Sequence, residues 1–404
     1  MARLVLLGGA GLMGRLAVRD WVELGAATDT LVVADRQGEL VQDICDRYRE
    51  RGRSLLPATV DVRDVKGTAA LLQGADVVIN MTPYRLNLQV MEAAWLAQTH
   101  YVDLGGLFHV TRQQLAWQER FQAIGKTALL GMGAAPGISN ILARYGAEEL
   151  VGVREIHILV GHLDKTVYDP PPLFPVSYSL ATILEELSAP PAIFTEGEWR
   201  FLEPLAGGGA VVFPRPIGRQ NPIYTLHSEV ATLPLSFAER GIQEVSFRIA
   251  LDPLLIERVT FLQRLGLTRT DPLPLPTGEV IPLQVLEGLL ACQQPSVVQG
   301  AYDQYEVIRV VIKGSQHLTR KGQTKGLARV TVIADCHVPG VPEWGVGSDV
   351  DTGSPAMIAA EMLVQGLITQ RGVVVPEVAV PVQPFLAALR QRHITVKLTR
   401  QTGW

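Results

Sequence analysis

The feature that most narrows the folds open to this chain is its opening. Four apolar residues, Leu4–Leu7, run directly into Gly8-Gly9-Ala10-Gly11-Leu12-Met13-Gly14, and an amphipathic stretch, Leu12–Leu24, follows. A buried strand, a glycine turn and a helix in that order begin a dinucleotide-binding βαβ unit. Gly9, Gly11 and Gly14 hold the Gly-x-Gly-x-x-Gly spacing. Glycines there let the chain turn sharply, let backbone approach a pyrophosphate, and let helix pack on strand. The helix start, at Leu12 and Met13, offers N–H groups and a positive dipole end to phosphate.

Asp35 closes the second apolar run 35 − 14 = 21 residues after the last glycine, where an acid that binds ribose hydroxyls is expected. Its carboxylate favours NAD over a cofactor with a 2′-phosphate, while Arg36 beside it can pair with that phosphate and keeps NADP open. Asp61 and Asp64 follow the third strand and can reach the adenine edge, although Asp64 also suits a helix cap. Asn80, Thr82 and Pro83 end the fourth strand, at the sheet edge where the nicotinamide half of the cofactor would pass.

Short apolar runs alternate with helical stretches as far as residue 136. The predicted strands are Leu4–Leu7, Leu31–Ala34, Thr59–Val62, Ala75–Asn80, Tyr101–Leu104 and Thr127–Leu130. This is an α/β pattern, a Rossmann-type doubly wound parallel sheet over residues 1–136. From 137 to 350 the runs Glu155–Val160, Ala210–Phe213, Glu244–Ala250, Glu306–Lys313 and Ala328–Ala334 predict a second, α+β domain with a mostly antiparallel or mixed sheet. Helices are expected at Leu254–Leu265, Leu283–Cys292 and Pro355–Gln370, the last with Asp351–Ser354 as its cap.

Composition excludes several classes. The 404 residues carry 36 basic against 40 acidic side chains, a net charge of -4, with no basic block for nucleic acid or an anionic membrane. The longest uncharged stretch, Thr127–Ala143, is broken by Gly131, Gly133, Pro136 and Gly137 and is too short to span a bilayer. Cys45, Cys292 and Cys336 are odd in number and far apart, which suits a reducing, cytoplasmic setting.

The motif set resembles the saccharopine dehydrogenase-like family. The likeness rests on the glycine turn, Asp76-Val77-Val78-Ile79-Asn80, His100-Tyr101-Val102-Asp103-Leu104-Gly105-Gly106 and Gly133-Ala134-Ala135-Pro136-Gly137 with Ile138–Ala143. Leu226-His227-Ser228, Thr232-Leu233-Pro234 and Thr352–Ala356 extend it over nearly the whole chain, nearest to the bacterial L-lysine 6-dehydrogenases. The resemblance implies that residues 351–404 return as helices to the first domain, and that the second domain closes the cleft and forms a homodimer. It also implies oxidation of a carbon–nitrogen bond with NAD, the lysine side-chain amine foremost. A saccharopine or carboxynorspermidine type of reaction on a secondary amine is the alternative. Glu229 stands where those lysine enzymes have a smaller stretch; if it fills the cleft, the chain is a non-catalytic NAD sensor.

Amine oxidation needs a neutral nitrogen, hence a proton acceptor beside it. Asp103 ends the fifth strand and is the first candidate, with capping of the Gly105-Gly106 turn as its other reading. His227, in a strand-like run, is the second, supported by Glu229 and Thr232. Tyr178 and Glu185 are candidate substrate contacts, and Arg215, Arg219 and Arg248 are available to a carboxylate. His157, His162 and Cys336-His337 lack metal-ligand spacing, so no metal is expected. There is no Gly-x-Ser-x-Gly elbow, and Gly125-Lys126-Thr127 has Arg120 where a phosphate loop needs glycine.

Overall fold

The structure, a computed structural model, describes residues 1–174, 180–276, 278–293, 296–320 and 323–403. Near-continuous apolar runs become inner strands of a parallel sheet because helices cover both faces. Such runs form β1 (Arg3–Leu7), β2 (Thr30–Asp35), β4 (Val77–Asn80), β5 (His100–Asp103) and β6 (Thr127–Leu129), and β3 (Ser54–Thr59) lies at the edge. With Gly372–Val374 they make seven parallel strands among the described residues, in the order Gly372–Val374, β6, β5, β4, β1, β2, β3. The order reverses between β1 and β4, the switch point at which ligands of such sheets bind. There the glycine turn leaves β1 beside the loop leaving β4, and Met81 N–H donates to the Leu7 carbonyl at 2.9 Å.

The third strand lies five residues earlier than Thr59–Val62. Most of Ser54–Thr59 is exposed and it contains Pro57, which an edge strand tolerates and an apolar-run reading passes over.

The second sheet is mixed. Its order is Glu198–Phe201, Ala192–Thr195, Glu244–Ile249, β7 (Gly152–Asp164), Gln304–Arg320, Gln323–Val338 and Thr395–Thr402. Glu244–Ile249 runs parallel to β7, and the other pairings among these are antiparallel. The expected strand Ala210–Phe213 shrinks to Val211–Val212. The expected helices near Leu254–Leu265 and Leu283–Cys292 are Pro253–Leu265 and Pro282–Ala291.

The last segment serves both sheets. Helix Val350–Val364 packs on α1 (Leu12–Leu24) and β4, Gly372–Val374 joins the first sheet, and Thr395–Thr402 crosses to the second. That helix begins five residues before Pro355, because burial along nearly its whole length outweighs the backbone hydrogen bond a proline removes. Arg392 and Asp20, each 1% exposed, clamp the segment to α1 by bonds of 2.5 and 2.6 Å. One apolar core runs from Leu16 and Val18 of α1 to Ile156 and Ile158 of β7, so the two layers are tied together around the cleft. No described helix is long and apolar enough to cross a membrane.

Candidate functional site

At the switch point the glycines are sterically required. A Cβ on Gly14 would overlap the Gly8 carbonyl, and one on Gly9 would overlap the Val33 side chain. Helix α1 then follows its N-cap residue Gly11 with no side-chain cap and no acid in its first turn, and Gly11, Leu12 and Met13 line the cleft. An uncapped helix start facing a cleft fits a cofactor pyrophosphate. Thr82 and Pro83 line the same cleft, whereas Asn80 is 1% exposed and does not. Asn80 instead holds Thr82, accepting from its hydroxyl at 2.6 Å, and donates to Asn87 and Tyr101.

The Asp35 carboxylate accepts from Ala10 N–H at 3.2 Å and Gln37 N–H at 3.1 Å, which fixes it beside the glycine turn with lone pairs left for a ribose diol. Arg36 is exposed next to it. Asp61 is paired with Arg63, whose hydrogen bonds pull its carboxyl down to about 2. Asp64 caps the helix Val65–Leu72, accepting from Gly67 N–H.

Between the two sheets lies a cleft of about 420 Å³. His227 lines it, with its ring stacked on Phe247 at 3.6 Å between centroids. Its Nδ1 lies 2.8 Å from Glu229 Oε2, and Glu229, fully buried, accepts from Ser139 Oγ at 2.7 Å through its other oxygen. Burial alone would lower the His227 pKa, but the charge and hydrogen bond of Glu229, then the charge of Glu186, outweigh it and raise the value. Nε2, on a ring that lines the cleft, has no hydrogen bond to a described residue. His227 sits in the loop entering helix Glu229–Ser236 rather than in a strand. Glu229 does not line the cleft, so it does not block it.

The surroundings of Asp103, the first candidate for handling the substrate proton, hold it away from the cleft. Asp103 is 0% exposed and outside the cleft lining. Gly105 and Gly131 N–H donate to Oδ1, and Tyr101, Gln114 and Asn87 donate to Oδ2, at 2.6–3.2 Å. Burial raises its pKa while these donors oppose the rise. It ties the loops after β5 and β6 together, as its turn-capping alternative requires.

Other expected contacts also lie elsewhere. Thr232 accepts from Asn140 inside helix packing, and Glu185 is taken by Tyr84 and Arg85. Tyr178 lies outside the described residues. Arg248 donates to the Gly208 carbonyl, and Arg215 and Arg219 do not line the cleft.

Sequence reasoning missed most of the charged lining. Glu186, Glu306, Asp349 and Asp351 face the cleft with Tyr84, Ser228 and Phe247, and no Lys or Arg lines it among the described residues. Glu186 is one residue from Glu185 on helix Leu180–Ser188, and helical phase separates their partners.

Glu155, His157 and Glu244 come within 4.8 Å of one another through potential metal-ligand atoms. Glu155 already holds Lys313 Nζ at 2.7 Å, and His157 Nδ1 bonds Ser246 Oγ at 2.8 Å. The group is an ion-pair network with its own cation.

Comparison with known proteins agrees with this architecture. Residues 4–129 match the Saccharopine dehydrogenase NADP binding domain and residues 133–394 the Saccharopine dehydrogenase C-terminal domain. The chain is 27% identical to carboxyaminopropylagmatine dehydrogenase of Synechocystis, over 95% of this chain and 94% of that one. It is 24% identical to carboxynorspermidine synthase of Vibrio alginolyticus, with 95% and 94% covered. The saccharopine dehydrogenase (L-Glu forming) of Saccharomyces cerevisiae shares the fold at a TM-score of 0.71 and 15% identity, covering 99% of this chain and 100% of that one.

Proposed function

This chain belongs to the saccharopine dehydrogenase family of NAD(P)-dependent oxidoreductases acting on amines, and from that premise we propose that it makes or breaks the C–N bond of a polyamine-type secondary amine. The substrate class is one in which a carboxyl-bearing limb and an aminoalkyl limb meet at the reacting nitrogen, the type named by carboxynorspermidine and carboxyaminopropylagmatine.

The observation that carries this reading is the His227–Glu229 pair opening, through Nε2, onto the cleft that also receives the glycine turn. In the oxidative direction His227 Nε2 takes the proton from the substrate ammonium, and Glu229 steadies the imidazolium that results. A nicotinamide cofactor held by the glycine turn and Asp35 would supply hydride chemistry at the carbon attached to that nitrogen. Water then adds to the oxidised C=N bond and releases an aldehyde and an amine. In the reverse direction the protonated His227 returns its proton to the nitrogen. Phe247 fixes the imidazole plane, and Leu104, Leu107, Val160 and Ile249 keep the cleft apolar around the reacting carbon.

Carboxylates without a lysine or arginine among the described lining residues favour a polycationic amine over lysine as the substrate. The neutral hydroxyls of the described lining are those of Thr82, Tyr84, Thr182, Ser228 and Thr352, and a substrate carboxyl seated there competes with the bonds Tyr84 makes to Glu185 and Ser228 to the Leu107 carbonyl. The test is absorbance at the reduced-nicotinamide band with NAD or NADP and a panel of carboxynorspermidine, carboxyaminopropylagmatine, saccharopine and lysine. Reduction with either of the first two, well above that with lysine, is expected. Reduction with lysine alone overturns the substrate reading in favour of side-chain amine oxidation.

A further inference from the structure

The floor of the cleft is the inward face of the second sheet, and its chemistry changes along the strands. On β7 the inward residues are Ile156, Ile158 and Val160, and the next in phase is His162. On Gln304–Arg320 the same face carries Ile312, Val310 and Ile308, then Glu306, the register partner of His162. The face is aliphatic until the cleft, where it becomes ionisable.

Helix Val350–Val364 brings two more acids to that end. Asp349 precedes its first turn, Asp351 lies within it, and both line the cleft with Glu306. Asp351 is 2% exposed, and its Oδ2 receives no hydrogen bond. A buried carboxyl oxygen without a donor is costly unless the group neutralises or a ligand brings the donor. The molecule does the first in part: burial, then the charge of Asp349, pushes Glu306 up to about 7 against a hydrogen bond with Asp351 that lowers it, and burial, then the charge and hydrogen bond of Glu306, raises Asp351 well above the carboxylate range. His162 Nδ1 lies 3.7 Å from Glu306 Oε2, but burial lowers its pKa and makes it a poor standing cation.

This end is distant from the proton acceptor. His227 stacks on Phe247, which pairs with Ile158, whereas Glu306 pairs with His162, four residues further along β7 and on its other side. At 3.3 Å per residue and 4.8 Å between strands, the Cα atoms of Phe247 and Glu306 are roughly 16 Å apart, and the His227 and Glu306 side chains that line the one cleft shorten that span. A ligand reaching both groups is extended and carries a cation at its far end.

We infer that Glu306 and Asp351, with Asp349 beside them, form the subsite for the terminal ammonium or guanidinium of the substrate's aminoalkyl limb. The inference rests on the secondary-amine reading above. The cation supplies a donor to Asp351 Oδ2 and a positive charge beside two carboxyls that otherwise have only a shared proton between them. A substrate seated by that end is held in register, so the reacting nitrogen falls at His227.

The test compares norspermidine with dipropylamine, which keeps the secondary amine and both propyl chains but lacks terminal amines. Each is titrated calorimetrically into the full-length protein loaded with NAD(P). Norspermidine is expected to bind about tenfold tighter or more, the scale of a hydrogen bond between charged groups. Glu306→Gln and Asp351→Asn are expected to bring the two ligands within about threefold while cofactor affinity stays unchanged. Asp349→Asn, at the less buried rim, is expected to reduce the preference in part, and it serves if the buried variants fail to fold. An undiminished preference in the variants that fold, or equal binding of both amines to the unmodified protein, overturns the subsite. Turnover of secondary amines with an unaffected preference sinks the subsite alone. Carboxylate-dependent binding without turnover of any secondary amine sinks the reaction reading alone.

Discussion

Glu229 Oε2 and His227 Nδ1 stand 2.8 Å apart, two residues apart in the chain, in a setting where the carboxylate is wholly buried and the imidazole borders the cleft. The short link across the entry to helix Glu229–Ser236 fixes the tautomer that leaves Nε2 free to accept a proton. Ser139 then fixes the carboxylate.

Glu229→Gln removes the charge that holds the His227 pKa above its ordinary value. Amine oxidation requires neutral imidazole, so its rate rises with pH through that raised value and levels off above it. In the variant the rising limb moves to lower pH, by about one unit or more, as a lost interaction of roughly 1.4 kcal/mol would produce. The plateau falls about 100-fold as the imidazolium loses its partner. A pH profile of kcat/KM whose limb stays in place would assign proton transfer to another group.

Asp103→Asn separates the two acids considered for that role. Asn presents an N–H₂ group to a pocket of donors, so a loss of about 3 kcal/mol in unfolding free energy is expected by denaturant titration. The pH limb of the folded fraction should stay where it is. Loss of the limb with unchanged stability would return the catalytic role to Asp103.

These two residues also show how far the sequence can be read. The glycine turn, Asp35 and the first strands are local patterns, so the parallel sheet and the cofactor end were legible from spacing alone. The sequence places Asp103 at a strand end, but its five donors come from β5, the loops after β5 and β6, and two helices and have no sequence signature. His227 read as part of a strand because the helix after it is eight residues long and contains Pro234. Glu306 and Asp351 are 45 residues apart, one on a strand and one on a helix, and the cleft brings them together. Long-range pairing of that kind leaves no periodicity to detect.

Cofactor choice turns on the end of β2. Asp35→Ala should weaken NAD about tenfold or more and NADP less, because the carboxylate serves a ribose hydroxyl and opposes a 2′-phosphate. Arg36→Ala should weaken NADP more than NAD. Dissociation constants for both cofactors decide it, and equal losses in either variant would remove that residue from the discrimination.

His100 makes the parallel sheet sensitive to acid. It opens β5, and its Nδ1 accepts the Thr127 N–H at the start of β6 at 3.0 Å, a bond that requires an unprotonated nitrogen. Burial first, then the charges of Lys126 and Arg371, lowers its pKa to about 4, against roughly 6.5 in an unfolded chain. Between those values the unfolded chain binds the proton and the folded chain does not, so the contribution is complete above about pH 6.5 and is lost as pH falls toward 4. His100→Asn keeps an acceptor for Thr127 without the titration. The Tm of the unmodified protein should therefore fall more steeply than that of the variant between pH 6.5 and 4, with the two slopes converging above that window. Parallel slopes throughout would mean that His100 is protonated in the folded protein as readily as in the unfolded chain.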